Sequence, residues 1–544
     1  MNYNRSLYKV VEDTCNNFKN ESALYFENLE ITYEKLLMNI NKVASVLHEL
    51  GVKDHDIITV CMPNMPQAIY SFYAINKLGA ICYEIHPKST LQQVRKYLRE
   101  TKSKFLLVLD IFAYQFLELQ NEMDLTVITF NPFDKISLIK KIYCNMKSPK
   151  HFEPNTLRYE KLEQLKYTET TMYNWDIHET SVLLNSGGTS GNSKIIELST
   201  DAINKLASNG SDILDMTEGV GVHMFLVLPM FHGFGLCMGV HAPLMYGASI
   251  SLMMKFHTKD TINLIKKNRA TIIIGVPILY KALLKNKKFH SNIVKNINFA
   301  YVGGDFVNQD LFKKFNDLMI KHDSKARLFE GYGLTETVTV CSVNTLAANC
   351  DESVGKAVRY AKIKIIDPTT KQTLPHNTLG EIAVSGDIIM NGYYNDDELT
   401  NKTVQIDEFG NKWVLTGDYG YLNNEDYLFF KQRLKRIIKV SGVIICPSDI
   451  EHVVSKMDEI FEVYASGVED EEHGSIIYLW VVKNKNPEYA NISDEELNKK
   501  IKDLIKNELS IYAMPKEITY IEKMPKTEIG KINGKILEQM IKEK

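Results

Sequence analysis

Residues Ile57 to Leu109 read IITVCMPNMPQAIYSFYAINKLGAICYEIHPKSTLQQVRKYLRETKSKFLLVL. Three runs in this stretch, Ile57–Met62, Ala80–Glu84 and Phe105–Leu109, are short and mostly apolar, with no in–out alternation. Such runs suit strands buried on both faces of a parallel sheet. Between them Gln67–Leu78 and Leu91–Glu100 carry apolar residues at helical spacing, and Gly79 stops the first. Strand, helix, strand, helix, strand predicts an α/β fold with a mostly parallel sheet.

The pattern extends both ways. Upstream, Thr32 is placed to cap a helix with Leu36, Ile40, Val43, Leu47 and Leu50 on one face and Gly51 as its stop. Downstream, the stretch from about Asp134 to Asn174 is rich in lysine and tyrosine with weak periodicity, and is expected to be a connector. The alternation then resumes, with strands expected at Phe225–Leu228, Ile250–Met253, Thr271–Ile274, Phe299–Val302 and Arg327–Phe329. From Lys362 the character changes to short strands, at Lys362–Ile366, Glu381–Val384, Trp413–Leu415 and Leu428–Phe430, with Gly, Asp and Asn between them. That predicts a small β subdomain. A last α+β unit starts near Arg433, with strands near Ile437–Val440, Val463–Gly467 and Ile476–Val482. Its long helix opens at Ser493-x-x-Glu496 and lines up Leu497, Ile501, Leu504, Ile505 and Leu509. The expected division is 1–432 for a large N-terminal core and 433–544 for a smaller C-terminal domain.

The bulk properties exclude several classes. The 544 residues carry a formal net charge of −3, so nothing draws the whole chain towards nucleic acid. Eight scattered cysteines form no C-x-x-C and no zinc spacing, which suits reduced thiols in a cytoplasmic protein. The first residues, MNYNRSLYKVVEDTCNNFKNE, have no apolar core of a signal peptide. Met224–Met254 lacks Asp, Glu, Lys and Arg, but Pro229, Pro243, His232, His241 and several glycines interrupt it. It reads as buried strand–turn–helix–strand and not as a transmembrane span.

Five segments carry chemistry. Ser186-Gly187-Gly188-Thr189-Ser190-Gly191-Asn192-Ser193-Lys194 combines glycines, hydroxyls and a lysine. It can be a phosphate cradle or an ordinary loop; it does not fit the common P-loop spacing. Leu228–Gly235 sets His232 between Phe231 and Phe234, as a core histidine or a site group. In Glu330-Gly331-Tyr332-Gly333-Leu334-Thr335-Glu336-Thr337 the aromatic can stack on a base, the threonine can bond a phosphate and the carboxylate can hold Mg²⁺. The alternative there is a strand-to-helix turn capped by Thr335. Thr416-Gly417-Asp418 offers a carboxylate to ribose hydroxyls or is turn chemistry, and Gln432–Lys439 is basic. Pro525–Lys531 ends on a lysine that has no role by itself.

In this order, and with Ile31-Thr32-Tyr33 ahead of them, the segments resemble the adenylate-forming (ANL) superfamily of AMP-dependent synthetases and ligases, acyl-CoA synthetases among them. The resemblance implies ATP-dependent activation of a carboxylic acid to an acyl-adenylate, with loss of pyrophosphate, and then transfer of the acyl group to coenzyme A. It implies that Ser186, Gly187, Gly188, Thr189, Ser190, Gly191 and Lys194 hold the β- and γ-phosphates. Gly303, Gly304 and Asp305 would lie along the adenine and Tyr332 on its face. Thr335 would meet the α-phosphate, Glu336 Mg²⁺, and Asp418 and Arg433 the ribose. His232 would stand at the carboxylate end of an acyl site lined by Phe231, Phe234, Gly331 and Gly333. Lys531 would serve adenylation. Rotation of a mobile C-terminal domain about Lys435 would then exchange it for Lys439 and Gly442.

The chain departs from the family pattern at Ser193, Ile195, Gln432 and Gly534, where Pro, Gly, Gly and Arg are usual. The apolar and glycine residues expected at the acyl site suit a fatty or aryl acid. A carrier-protein phosphopantetheine in place of free coenzyme A, and a non-catalytic nucleotide-binding relative, are the alternatives. A lipid-like acid would also leave peripheral membrane contact open.

Overall fold

A computed structural model describes residues 4–133, 156–162, 169–186, 194–214, 219–305, 307–441, 443–470, 474–489, 492–526 and 532–542. Among these, two large sheets carry most of the chain. One orders its strands Gly392–Tyr393, Ile195–Ser199, Thr180–Asn185, Ile81–Glu84, Ile57–Cys61, Phe105–Leu109, Thr126–Phe130 and Thr156–Arg158. From Thr180–Asn185 onwards all neighbours are parallel; the first two strands run antiparallel to what they touch. The other orders Lys356–Ala357, Ser342–Val343, Leu328–Tyr332, Phe299–Val302, Ile272–Gly275, His223–Leu226, Ser249–Leu252, Ser22–Phe26 and Leu29–Thr32, parallel inside and antiparallel at both edges.

The punctuation read from the sequence acts as expected. The Thr32 hydroxyl accepts the Lys35 N–H at 3.3 Å at the head of Tyr33–Glu49, and Gly51 ends the turn at φ +88°. A signal not singled out in the sequence adds to these: Thr90 and Gln93 form a reciprocal capping box before Leu91–Thr101. The uncharged Met224–Met254 stretch folds as strand His223–Leu226, a π-helical segment Phe234–His241, helix Ala242–Tyr246 and strand Ser249–Leu252. No helix among the described residues is long and apolar enough to cross a membrane.

One expectation needs correction. The lysine-rich stretch is not only a connector: within it Thr156–Arg158 adds an edge strand beside Thr126–Phe130, and the Tyr159 ring stacks on Phe130 at 4.8 Å. A three-residue strand is too short to show a period.

The chain forms two compact units. The first holds the two large sheets. The second runs from Leu415 and includes Ile363–Ala383. The short strands expected after Lys362 are present as Ala361–Ile366, Gly380–Gly386, Val404–Ile406, Lys412–Leu422 and Leu428–Arg433. In the C-terminal part, strands Ile460–Asp470, Gly474–Lys483 and Glu517–Tyr520 form a sheet. Helices Pro447–Val454 and Asp494–Glu508 bury Ile450, Val454, Leu497, Ile501 and Ile505 with Leu479 and Val481.

Glu84 is a buried carboxylic acid in the first sheet. It is fully buried, and its Oε2 has no hydrogen-bond partner. Burial pushes its pKa from 4.5 up to about 8. Below pH 4.5 the acid is neutral whether folded or unfolded and costs nothing extra. Between 4.5 and about 8 the unfolded chain loses the proton while the folded one keeps it, so stability falls as pH rises. Denaturant midpoints of a Glu84→Gln variant should fall less than wild type between pH 5 and pH 8. The difference in slope should approach about 1.4 kcal/mol per pH unit. Parallel profiles would show that Glu84 is not buried as an acid.

Candidate functional site

The glycine-rich segment joins two antiparallel strands, Thr180–Asn185 and Ile195–Ser199. At its neck the Ser186 N–H donates to the Lys194 carbonyl at 2.8 Å, and the Lys194 N–H donates to Ser186 Oγ at 3.1 Å. Gly187, Gly188, Thr189, Ser190, Gly191 and Ser193 lie outside the described residues. Ile195, one of the departures, packs into the core around Leu183 and Tyr83.

The strand after this segment is bordered by Gly392–Tyr393, with Tyr393 opposite Ile196. Lys194 Nζ lies 4.6 Å from the centre of the Tyr393 ring. The Tyr393 hydroxyl donates to Glu336 Oε1 at 2.8 Å. The Met390 N–H donates to the Glu336 carbonyl at 2.8 Å, and the Tyr393 N–H to Thr400 Oγ1 at 2.9 Å. Burial first, then the Glu336 charge and hydrogen bond, hold the proton on the Tyr393 phenol. The phenol is therefore a fixed neutral donor.

Glu336 sits in a single 3₁₀ turn, Thr335–Thr337. Leu334, not Thr335, occupies the cap position, and the Thr337 hydroxyl bonds back to the Leu334 carbonyl at 3.0 Å. The chain leaves this turn through Val338 at φ +59°, ψ −57°, with the Thr339 N–H reaching the Thr337 carbonyl at 2.6 Å. That is a γ-turn centred on a buried β-branched residue, a strained conformation. Its carbonyls press on two glycines. A Cβ on Gly333 would overlap the Thr339 carbonyl oxygen, and one on Gly233 would overlap that of Val338. Gly233 follows His232, so the histidine and Glu336 segments meet at this turn. His232 is half-buried with its ring 4.6 Å from Phe231, which also packs on His86 at 4.6 Å. Phe231 is buried and Phe234 half-buried.

Gly303 ends the strand beside Leu328–Tyr332, where a Cβ would crowd the Gly331 carbonyl. Gly304 turns at φ +80° and Asp305 is exposed. Tyr332 is buried, and the Cys341 N–H bonds to its carbonyl at 2.9 Å. Burial lifts the Glu330 carboxyl from 4.5 to about 8.

In the second unit, Asp418 and Arg433 face each other in register on neighbouring strands. Arg433 Nε lies 3.0 Å from Asp418 Oδ1; the carboxylate is 1% exposed and the guanidinium side chain 62%. Thr416 Oγ1 accepts the Asp418 N–H at 3.0 Å. Lys435 belongs to the 3₁₀ turn Leu434–Arg436, and Lys439 is exposed on strand Ile438–Val440. Lys531 and Gly442 lie outside the described residues. A Cβ on Gly534 would overlap the Tyr464 hydroxyl, so an arginine does not fit there without moving that ring.

The sequence pattern of the AMP-binding enzyme family matches residues 11–394, and that of the AMP-binding enzyme C-terminal domain matches residues 449–531. The chain belongs to the AMP-binding enzyme family. This AMP-binding enzyme is 29% identical to "4-coumarate--CoA ligase CCL1" of Humulus lupulus over 520 residues, 93% of this chain and 88% of the relative. It is 26% identical to the "Long-chain-fatty-acid--CoA ligase" of Bacillus subtilis (strain 168) over 554 residues, 98% of this chain and 95% of the relative. Its fold matches the crystal structure of ATP-bound MatB from Rhodopseudomonas palustris with a TM-score of 0.86 at 20% identity, covering 100% of this chain and 99% of that one. The two-domain architecture of the superfamily is the one found.

Within the first unit, the structure joins Ser186, Lys194 and Glu336 through Tyr393, and packs the His232 and Gly333 segments on one turn. Tyr393 is the residue that sequence reading missed. Its local context, Asn391-Gly392-Tyr393-Tyr394-Asn395, has the composition of a turn. No group of three or more His, Cys, Asp or Glu among the described residues could hold a metal alone. A single carboxylate, Glu336, with one oxygen on Tyr393, suits Mg²⁺, which takes few protein ligands and completes its shell with substrate phosphates and water.

Proposed function

We propose that this AMP-binding enzyme is an AMP-forming acyl-CoA ligase for an apolar fatty or aryl carboxylic acid. The observation that carries the reading is the Lys194–Tyr393–Glu336 cluster, which joins the phosphate-segment lysine to the carboxylate of the Glu330–Thr337 motif. Both curated relatives are CoA ligases, one of an aryl and one of a fatty acid. Seven described cysteines are free thiols, which suits the cytoplasm.

In the first half-reaction a carboxylate oxygen bonds to the α-phosphorus of ATP and pyrophosphate leaves. In the second a thiol sulfur bonds to the acyl carbon and AMP leaves. Both steps need donors and cations set in place beforehand. Residues Ser186 to Lys194 grip the departing pyrophosphate. Thr335 meets the α-phosphate, and Glu336 would hold Mg²⁺, which would offset charge on the phosphates. Tyr332, Gly303, Gly304 and Asp305 frame the adenine. His232 orients the acid against Phe231, Phe234, Gly331 and Gly333. Residues 1–432 form the adenylation core and 433–544 the mobile domain, with Lys435 as hinge and Lys531 and Lys439 serving one half-reaction each.

Asp418 accepts the ribose hydroxyls beside Arg433. A charged acceptor is worth about 1.5–3 kcal/mol. Asp418→Asn should therefore weaken ATP binding about 10- to 100-fold, read by calorimetry. Unchanged affinity would remove Asp418 from the nucleotide site.

The reading as a whole is tested with a panel of fatty, aryl and amino acids, ATP and Mg²⁺, measuring pyrophosphate with and without coenzyme A. Acid-dependent pyrophosphate and a CoA thioester from an apolar acid are expected. No acid-dependent release sinks the enzyme reading. Adenylation with turnover only on a carrier protein replaces coenzyme A by that partner.

A further inference from the structure

We propose that Tyr393 is a positioning residue for metal binding: its hydroxyl fixes Glu336 so that the other carboxylate oxygen faces the Mg²⁺ of the bound nucleotide. The proposal rests on the reading of Glu336 as the metal ligand. Three observations carry it.

First, Glu336 is gripped twice by one short segment. Met390 holds its backbone carbonyl and Tyr393 its Oε1, both at 2.8 Å. A glutamate on a single 3₁₀ turn has three free torsions, and fixing one oxygen removes most of that freedom before the metal arrives. Second, Tyr393 is itself fixed. Its N–H is held by Thr400 Oγ1 at 2.9 Å, and its strand is zipped to Ile195–Ser199 through Tyr393 and Ile196. That strand begins one residue after Lys194, so the position of Glu336 is set by the segment proposed to carry the pyrophosphate. Third, the Tyr393 ring already holds the Lys194 ammonium at 4.6 Å. A neutral phenol between a lysine and a carboxylate keeps the two from collapsing into a direct ion pair, which would occupy both groups. Lys194 thus stays available to phosphate and Glu336 to metal.

Mn²⁺ with ATP gives a readout separate from turnover, since free Mn²⁺ is counted by electron paramagnetic resonance. Tyr393→Phe keeps the ring and removes only the hydroxyl. It should weaken Mn²⁺·ATP binding about 10-fold, the scale for losing a partner that orients a metal ligand. Its apo melting temperature should stay near wild type. Glu336→Gln should weaken Mn²⁺·ATP binding at least as much, and adding Tyr393→Phe to it should cost nothing more. Weakened binding in Glu336→Gln with wild-type binding in Tyr393→Phe overturns the role of Tyr393 alone. Effects that multiply in the double variant also overturn it, because the two groups would then act separately. Wild-type binding in Glu336→Gln overturns the reading of Glu336, and with it this proposal.

Discussion

Lys531→Ala slows acyl-adenylate formation roughly 100- to 1000-fold, the scale for removing one donor aimed at a transition state. It largely spares the conversion of supplied acyl-adenylate to thioester. Lys439→Ala does the reverse. The proposed basis is that one small domain would offer one lysine at a time. Lys439 stands on a three-residue strand whose neighbour Ile438 is buried in the C-terminal core, so alternation turns Lys439 outwards. The turn between the two anchored arginines suits a hinge. Arg433 is tied to Asp418. Arg436 is tied to Glu451, to the Ala465 carbonyl at 3.2 Å and to the Tyr464 ring at 4.4 Å. Leu434 and Lys435 lie between these anchors. Single-turnover rates for each half-reaction check the prediction. Equal losses in both halves for both variants would argue against exchange of the two lysines.

Much of the fold was legible because its signals are local. Thr32, Gly51 and Gly79 punctuate helices through groups within a turn of each other, and buried parallel strands announce themselves by composition. The site was legible in part, through glycines and charges that stand close in the chain. Tyr393 was not. It reaches Glu336 from 57 residues away, on a strand of two residues whose pairing with Ile195–Ser199 no local period encodes. Val338 was not legible either. Its branched side chain argues for extended backbone, and it instead takes a positive φ that tertiary packing imposes. Ile195 shows the converse: a departure from the family pattern beside the phosphate segment serves the core.

Gly333→Ala should be the most damaging single methyl in the site. The need for glycine there is contact, not dihedral freedom: Gly333 is not among the residues with positive φ. Its missing Cβ makes room for the Thr339 carbonyl, a backbone atom that cannot rotate away. The carbonyl in turn is fixed by the γ-turn at Val338, whose other side is closed by Gly233. An added methyl must therefore move the turn, and the turn carries Thr335 and Glu336 at its head. Overpacking of this kind costs about 1–3 kcal/mol, and a displacement of about 1 Å at reacting groups costs about 100-fold in rate. Gly331→Ala is the control within the same motif. Its Cβ would stand 3.2 Å from Val343 Cγ2 and 3.3 Å from the Ser342 carbonyl oxygen, contacts relieved by shifts of a few tenths of an ångström and not the overlap met at Gly333. That variant should fold and adenylate, with a shifted preference among acids if Gly331 lines the acyl site. Pyrophosphate exchange and melting temperature separate the two. A Gly333→Ala enzyme with wild-type rate and stability would mean that the γ-turn does not hold Glu336 in place.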